Sequence, residues 1–166
     1  MDYRKEYEKW LASPALSEDE RAELKALEGN GKEIKARFYG PLEFGTAGLR
    51  GTMYTGLHNM NRHVIRWATQ GFANVIRAEG TEAMQKGVAV CMDCRNHSAE
   101  FARETACVMA ANGIHVRLFE SLRPTPELSF AVREYGCQAG VNVTASHNPK
   151  EYNGYKVYWS DGAQLP

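Results

Sequence analysis

Short apolar runs alternate with helical patterns along most of this chain, and that alternation restricts the fold more than any other feature. Residues 87–92 and 139–144 are typical of buried strands, and residues 114–119 alternate apolar and polar side chains as a strand does. Apolar positions at spacings of three and four, with Asn61 and Ser98 as expected N-caps, predict helices between these runs. The helices are expected at residues 61–80, 98–113 and 124–135. This order predicts a mostly parallel sheet with helices on both faces, a three-layer α/β/α sandwich.

One more strand is predicted at residues 155–159, after a loop of about ten residues without helical character. A loop of that length is too short for the usual helical crossover, so this strand should be an antiparallel edge strand of a mixed sheet. In sheets of this class the loops beyond the carboxyl ends of the strands carry the functional site. The loop at residues 144–149 occupies such a position.

The first 38 residues are rich in charge and are predicted to form a helical extension ahead of a sandwich domain at residues 39–166. Ser17 and Glu20 have the spacing of a capping box, in which each side chain accepts a hydrogen bond from a free backbone N–H. Residues 29–31 (GNG) are suited to end a helix. A solvated tail is the alternative for this segment.

Composition argues against several classes of function. The chain carries 20 basic and 20 acidic residues, so no excess of positive charge favours nucleic acid. No stretch approaches the ~20 apolar residues that a membrane span needs, and the charged N-terminus lacks the apolar core of a signal peptide. Four cysteines in a chain with an ample apolar core indicate free thiols. We therefore expect a cytoplasmic protein without nucleic-acid or membrane partners.

Residues 144–149 (TASHNP) place a hydroxyl, an imidazole and an amide side by side on the predicted loop. Neighbouring side chains on an extended loop point apart, so His147 is poorly placed to activate Ser146, and the Gly-x-Ser-x-Gly motif of hydrolases is absent. A serine that carries a phosphoryl group fits better, because Arg50, Lys156 and the loop amides could balance about two negative charges. A polar turn without chemistry and a serine hydrolase are the alternatives.

Glycines punctuate residues 45–51 (GTAGLRG) without the spacing of a dinucleotide-binding loop or a P-loop. They permit close backbone approach, and the fork of Arg50 is suited to bind two phosphate oxygens. A glycine-rich turn with a surface arginine is the alternative. Asn153 and Gly154 are interpreted as turn formers that shape the loop around the serine.

Cys91 and Cys94 form a C-x-x-C pair, but further ligands at similar spacing are missing. A redox pair would lie at a helix start, whereas Cys91 falls within a predicted strand. A metal or redox role is therefore disfavoured. Asp93 and Arg95 follow that strand and are predicted to brace loops.

Three motifs, in the same order, resemble those of the α-D-phosphohexomutase family, the phosphoglucomutases and phosphomannomutases. Residues 144–156 look like the family's phosphoserine signature, residues 44–51 like its N-terminal motif, and residues 90–95 like its strand that ends in Asp-x-Arg. The N-terminal extension is similar to the branch that contains phosphoglucomutases and phosphopentomutases. The resemblance implies the N-terminal domain I of such an enzyme.

The same resemblance implies a role for each site residue. Ser146 would carry the phosphoryl group, and its phosphate would be a ligand of Mg²⁺. Arg50 and Lys156 would transfer protons and stabilise charge, and His147 would be a further catalytic residue. The residues expected to contact the sugar phosphate are Arg50, Thr46, Ser146, His147, Asn148 and Lys156.

The implied reaction moves a phosphoryl group between positions 1 and 6, or 1 and 5, of a sugar phosphate through a bisphosphate. The family's other Mg²⁺ ligands and its sugar-recognition residues lie in domains II to IV, which this sequence lacks. The chain should therefore be inactive alone and depend on those domains as partners. A non-catalytic α/β module that binds a phosphorylated ligand or a partner protein is the alternative.

Overall fold

Seven helices and five strands make up residues 1–165, the part of the chain that a computed structural model describes. No helix in that part is both long and apolar enough to cross a membrane. The elements are α1 (Tyr3–Leu11), α2 (Glu18–Lys25), α3 (Gly31–Phe38), β1 (Leu49–Thr52), α4 (Arg62–Ala78), α5 (Thr81–Lys86), β2 (Val88–Met92), α6 (Ser98–Ala111), β3 (Val116–Leu118), α7 (Thr125–Glu134), β4 (Ala139–Val143) and β5 (Tyr152–Trp159).

All five strands belong to one sheet, in the order β1-β5-β4-β2-β3. β2 pairs parallel with β3 and β4, whereas β5 pairs antiparallel with β4 and β1. Four strands therefore run in one direction and β5 opposes them. Helices α4 and α6 pack on one face and α7 on the other. The predicted α/β/α sandwich is confirmed, with its mixed, mostly parallel sheet and an edge strand, β1, that pairs antiparallel with its neighbour.

Strands β2 and β4 are buried throughout, because each of their faces contributes to a different core. In β2, Val88 and Val90 pack under α4 and α6, while Ala89 and Cys91 pack under α7. Successive side chains of β5 alternate between the two faces in the same way, and Tyr155 is fully buried on the α4 and α6 side. Lys156, the next residue, therefore lies on the α7 side of the sheet.

The edge of the sheet is formed by a different strand from the one expected. The strand predicted at residues 155–159 is antiparallel as expected and begins earlier, at Tyr152. It lies inside the sheet, because β1 pairs along its outer side and takes the edge itself. Two glycines permit this pairing: a Cβ on Gly48 would lie 2.3 Å from the carbonyl oxygen of Tyr155, and one on Gly154 would lie 2.8 Å from that of Leu49.

The predicted helix starts are largely confirmed. Asn61 caps α4, with its side chain accepting from two backbone N–H groups, and Ser17 forms the expected capping box at the start of α2. The helix stop expected at residues 29–31 is wrong in detail. α2 already ends at Lys25, and Asn30 instead caps a third helix, α3.

Helices α1 to α3 form an apolar cluster that also includes Leu57, from the segment after β1. Arg37 of α3, almost completely buried, pairs with Glu23 of α2. Glu23 also accepts hydrogen bonds from the backbone N–H (3.2 Å) and the hydroxyl of Thr55. The N-terminal helices are thus attached to the segment that follows β1, while the domain boundary at residue 38 stays a prediction.

Gly48→Ala should lower the free energy of unfolding by roughly 2–5 kcal/mol, and Gly80→Ala by roughly 1–2 kcal/mol. Both glycines have a left-handed φ, 84° and 98°, which costs about 1–2 kcal/mol for a residue with a Cβ. Only at Gly48 would the new methyl group also meet a backbone atom, since nothing lies within 4 Å at Gly80. Urea denaturation measures both changes, and equal losses would contradict the close approach of β1 to β5.

Candidate functional site

The loop after β4 presents Ser146 to solvent in a left-handed conformation, with φ at 58°. Its backbone N–H donates to the hydroxyl of Thr144 (3.0 Å), and the N–H of Asn148 donates to the carbonyl of Ala145 (3.1 Å). Thr144 and Ala145 are buried, whereas Ser146 and His147 are exposed. The turn therefore begins from a buried strand end and places a serine hydroxyl where a second molecule can reach it.

The guanidinium of Arg95 is the main support of this loop. It donates three hydrogen bonds to loop carbonyls, from Nη1 to Pro149 (2.8 Å) and from Nη2 to Ser146 (2.9 Å) and Asn148 (2.6 Å). A fourth runs from Nη1 to the carbonyl of Tyr152 (3.0 Å), the first residue of β5. Asp93 orients it, with Oδ2 at 3.4 Å from Nε of Arg95. The prediction that Asp93 and Arg95 brace loops is confirmed.

A buried set of polar contacts continues from Asp93 into α6 and β5. The hydroxyl of Ser98 donates to Asp93 Oδ1 (2.8 Å) and accepts from Asn153 Nδ2 (3.0 Å). The prediction of Ser98 as an N-cap is wrong, because Ser98 is the first residue of α6 and His97 holds the cap position at φ 62°. The turn expected at Asn153 and Gly154 is also wrong, since both lie within β5 and Asn153 is fully buried.

Arg50 and Lys156 share the α7 face of the sheet beside this loop. Arg50 lies opposite Gly154 in the β1–β5 pairing, and its Nη1 donates to Asn148 Oδ1 (3.0 Å). Its Nε is buried without a hydrogen-bond partner among residues 1–165. Lys156 follows two residues after Gly154 and therefore lies on the same face. Two cationic side chains thus lie on the same face of the sheet, and one of them, Arg50, contacts the Ser146 loop.

The environment of Lys156 affects its charge state. Burial lowers the pKa of the Lys156 ammonium, and the positive charge of Arg50 lowers it further. Each of these effects favours a neutral lysine. An anion bound beside Lys156 would stabilise its charged form, so the arrangement suits a phosphoryl group.

The remaining predicted site residues, Thr46 and His147, are not held by side-chain contacts to the Ser146 loop. Thr46 is exposed three residues before β1, and its carbonyl accepts from Gln164 Nε2 (3.3 Å). His147 is exposed beside Ser146. Within the described chain, neither side chain makes a hydrogen bond to the loop, so their roles stay predictions. Asn153 is the support residue that sequence reasoning missed, because its dipeptide with Gly154 is typical of a turn.

Comparison with known proteins identifies the family of this chain. The profile of "Phosphoglucomutase/phosphomannomutase, alpha/beta/alpha domain I" matches residues 41–166. The chain belongs to this family.

Individual relatives agree with this family in both sequence and fold. The chain is 43% identical to a phosphopentomutase of Homo sapiens over 144 residues, which are 83% of this chain and 24% of that protein. It is 44% identical to a phosphoglucomutase of Staphylococcus aureus (strain COL) over 133 residues, 80% of this chain and 24% of that protein. A crystal structure from Thermus thermophilus, provisionally assigned as a phosphomannomutase, superposes with a TM-score of 0.68 at 31% identity and covers 76% of this chain and 27% of that one. The chain thus spans about a quarter of the length of the curated relatives it matches.

Arg95→Ala should lower the free energy of unfolding by roughly 1.5–3 kcal/mol and speed amide hydrogen exchange at residues 144–152. The substitution leaves loop carbonyls without the guanidinium that binds them. Arg66→Ala is the matched control, because Arg66 pairs with Glu104 on an exposed surface and should contribute at most about 1 kcal/mol. If exchange in the loop is the same in both variants, Arg95 does not hold the loop.

Proposed function

We propose that this chain is the phosphoserine domain of a sugar-phosphate mutase. The enzyme would move a phosphoryl group between positions 1 and 6, or 1 and 5, of a sugar phosphate through a bisphosphate. The observation that carries the proposal is the exposed Ser146 on a braced loop, with Arg50 and Lys156 on the adjoining sheet face. Relatives named phosphopentomutase and phosphoglucomutase support the same substrate class.

In this proposal the reaction begins with a phosphoryl group on Ser146. A sugar hydroxyl forms a bond to phosphorus as the bond between phosphorus and Oγ breaks. Lys156 donates its proton to the departing Oγ, and the proton of the sugar hydroxyl restores the ammonium. Arg50 stays charged throughout and stabilises the negative oxygens of the transferring group. The bisphosphate then turns over and returns its other phosphoryl group to Ser146 by the same steps in reverse.

The other predicted site residues have supporting roles in this reaction. Asn148 holds Nη1 of Arg50 through its side-chain oxygen (3.0 Å), which fixes the direction of the guanidinium fork. His147 and Thr46 are exposed on the two segments that flank Arg50, the Ser146 loop and the approach to β1. We propose that these two side chains contact the sugar phosphate when it is bound.

This chain would supply only part of a Mg²⁺ site. Among residues 1–165, no three side chains of His, Cys, Asp or Glu are grouped closely enough to bind a metal ion. The chain's proposed contribution is a phosphate oxygen on Ser146, an oxygen ligand of the kind that Mg²⁺ prefers. Bound Mg²⁺ would neutralise part of the phosphoryl charge, and its other ligands would come from domains II to IV.

Ser146→Ala in the full-length enzyme should abolish mutase activity without changing the fold, because the phosphoryl group has no carrier. Arg50→Ala and Lys156→Ala should each lower kcat by about 10²-fold or more, the scale of losing a charge stabiliser or proton donor. Ser160→Ala is the control, since Ser160 is an exposed serine just after β5. A coupled mutase assay measures all four, and full activity in Ser146→Ala would contradict the proposal.

The present chain alone should not interconvert hexose 1- and 6-phosphates. Turning a bisphosphate over without losing it requires a cleft that encloses the intermediate, and the site here is open on an exposed loop. The same coupled assay, applied to the purified chain, checks this. A kcat of about 1 per second or more would show that the domain does not need the others.

A further inference from the structure

Asn142, in β4, carries a buried amide for which the reaction above has no role. Only 1% of the residue is exposed. Its Nδ2 donates to the hydroxyl of Thr125 at the start of α7 (2.8 Å). Its Oδ1 is closed to solvent and has no hydrogen-bond partner among residues 1–165. A buried acceptor without a partner destabilises a fold, so a donor should lie within its reach.

The sheet register places two side chains beside Asn142 on the α7 face, Cys91 of β2 and Lys156 of β5. The thiol of Cys91 already directs its single proton to the carbonyl of Arg123 (3.4 Å). Burial raises the pKa of that thiol to about 11, so the proton stays on the sulfur. The Lys156 backbone pairs with β4, but its side-chain ammonium, which carries three N–H donors, makes no hydrogen bond or ion pair within residues 1–165 in this conformation. Lys156 is therefore the neighbour that has a free hydrogen-bond donor.

We infer that Asn142 is a positioning residue for Lys156, with its amide oxygen accepting a hydrogen bond from the Lys156 ammonium. This inference rests on the proposed function, in which Lys156 delivers a proton to Ser146. The reverse orientation of the amide would turn its NH₂ group toward a cation, which charge disfavours. Because Oδ1 is closed to solvent, a bound sugar cannot contact it directly, and Asn142 acts through Lys156.

The hydrogen bond from Lys156 to Asn142 affects the protonation state of the lysine. Burial and Arg50 both lower the pKa of Lys156, whereas an acceptor bonded to the ammonium stabilises its charged form and raises the pKa. Asn142 thus keeps Lys156 protonated at the pH where it must donate. The charged and titratable groups that share this face with Lys156 include Arg50 of β1, Cys91 of β2, Tyr158 of β5, Cys137 just before β4, and Glu127 of α7 with its partner Arg123 at 2.8 Å.

The direct test is the pKa of the Lys156 side chain, followed by NMR titration in this chain. Asn142→Leu should lower that pKa by about one pH unit or more, the scale of one hydrogen bond to a charged group. Asn142→Asp should raise it, because a carboxylate stabilises the ammonium more than an amide does. If Asn142→Leu does not fold, Asn142→Asp alone decides.

Thr125→Val is the matched control, because it removes the other partner of the amide and leaves Oδ1 in place. It should leave the pKa of Lys156 unchanged. The inference is overturned if Asn142→Leu titrates like the wild type, or if Thr125→Val causes the same fall, since Asn142 would then only attach α7 to the sheet.

A kinetic measurement on the full-length enzyme separates this inference from the proposed function. Lys156 acts in its protonated form, so a lower pKa in Asn142→Leu should move the alkaline limb of kcat to lower pH by the same amount. An unmoved limb would overturn the positioning role. A wild-type enzyme without mutase activity would overturn the proposed function instead, and the titration would still decide whether the two side chains are bonded.

Discussion

The hydrogen bonds from Arg95 to the loop after β4 are the interaction on which the site depends. That loop forms no strand pairing of its own, so its carbonyls need hydrogen-bond donors from elsewhere. One planar guanidinium donates to three of them and to the carbonyl at the start of β5. Asp93 fixes the guanidinium, and Ser98 fixes Asp93. The end of β2 and the start of α6 therefore determine the shape of a loop that lies about fifty residues later in the chain. With the backbone held in this way, Ser146 can keep a left-handed conformation that exposes its hydroxyl.

The antiparallel insertion of β5 brings the cations to the loop. Tyr155 is anchored in the core by a hydrogen bond to Thr69 (2.9 Å), and this anchor sets which face its neighbour Lys156 occupies. Gly48, just before β1, and Gly154 of β5 let the two strands approach closely enough to pair, which brings Arg50 onto the same face. A parallel crossover at this point would have left the far side of the Ser146 loop without a cationic neighbour from β5.

The sequence predicted the features that local pattern determines. The buried runs of β2 and β4 and the periodicity of α4 and α6 predicted the sandwich, because strands covered on both faces are continuously apolar. The same pattern placed Ser146 beyond the carboxyl end of one strand and predicted that Arg95, after another strand, braces loops. It could not show that β1 takes the sheet edge, because a strand of four residues, with a glycine inside it, lacks the apolar alternation of a strand. It also missed the buried contacts of Asn153 and Ser98, since these depend on segments more than fifty residues apart meeting in the fold.

Ser146 is proposed to carry the phosphoryl group that the full-length enzyme transfers. The most direct measurement is to incubate the full-length enzyme with a sugar phosphate that is radiolabelled in its phosphoryl group, and then to locate the label by peptide mapping. We expect label on the peptide that contains Ser146, and its loss when excess unlabelled substrate is added. Label on a different residue, or label on Ser146 that unlabelled substrate does not displace, would contradict this role of Ser146.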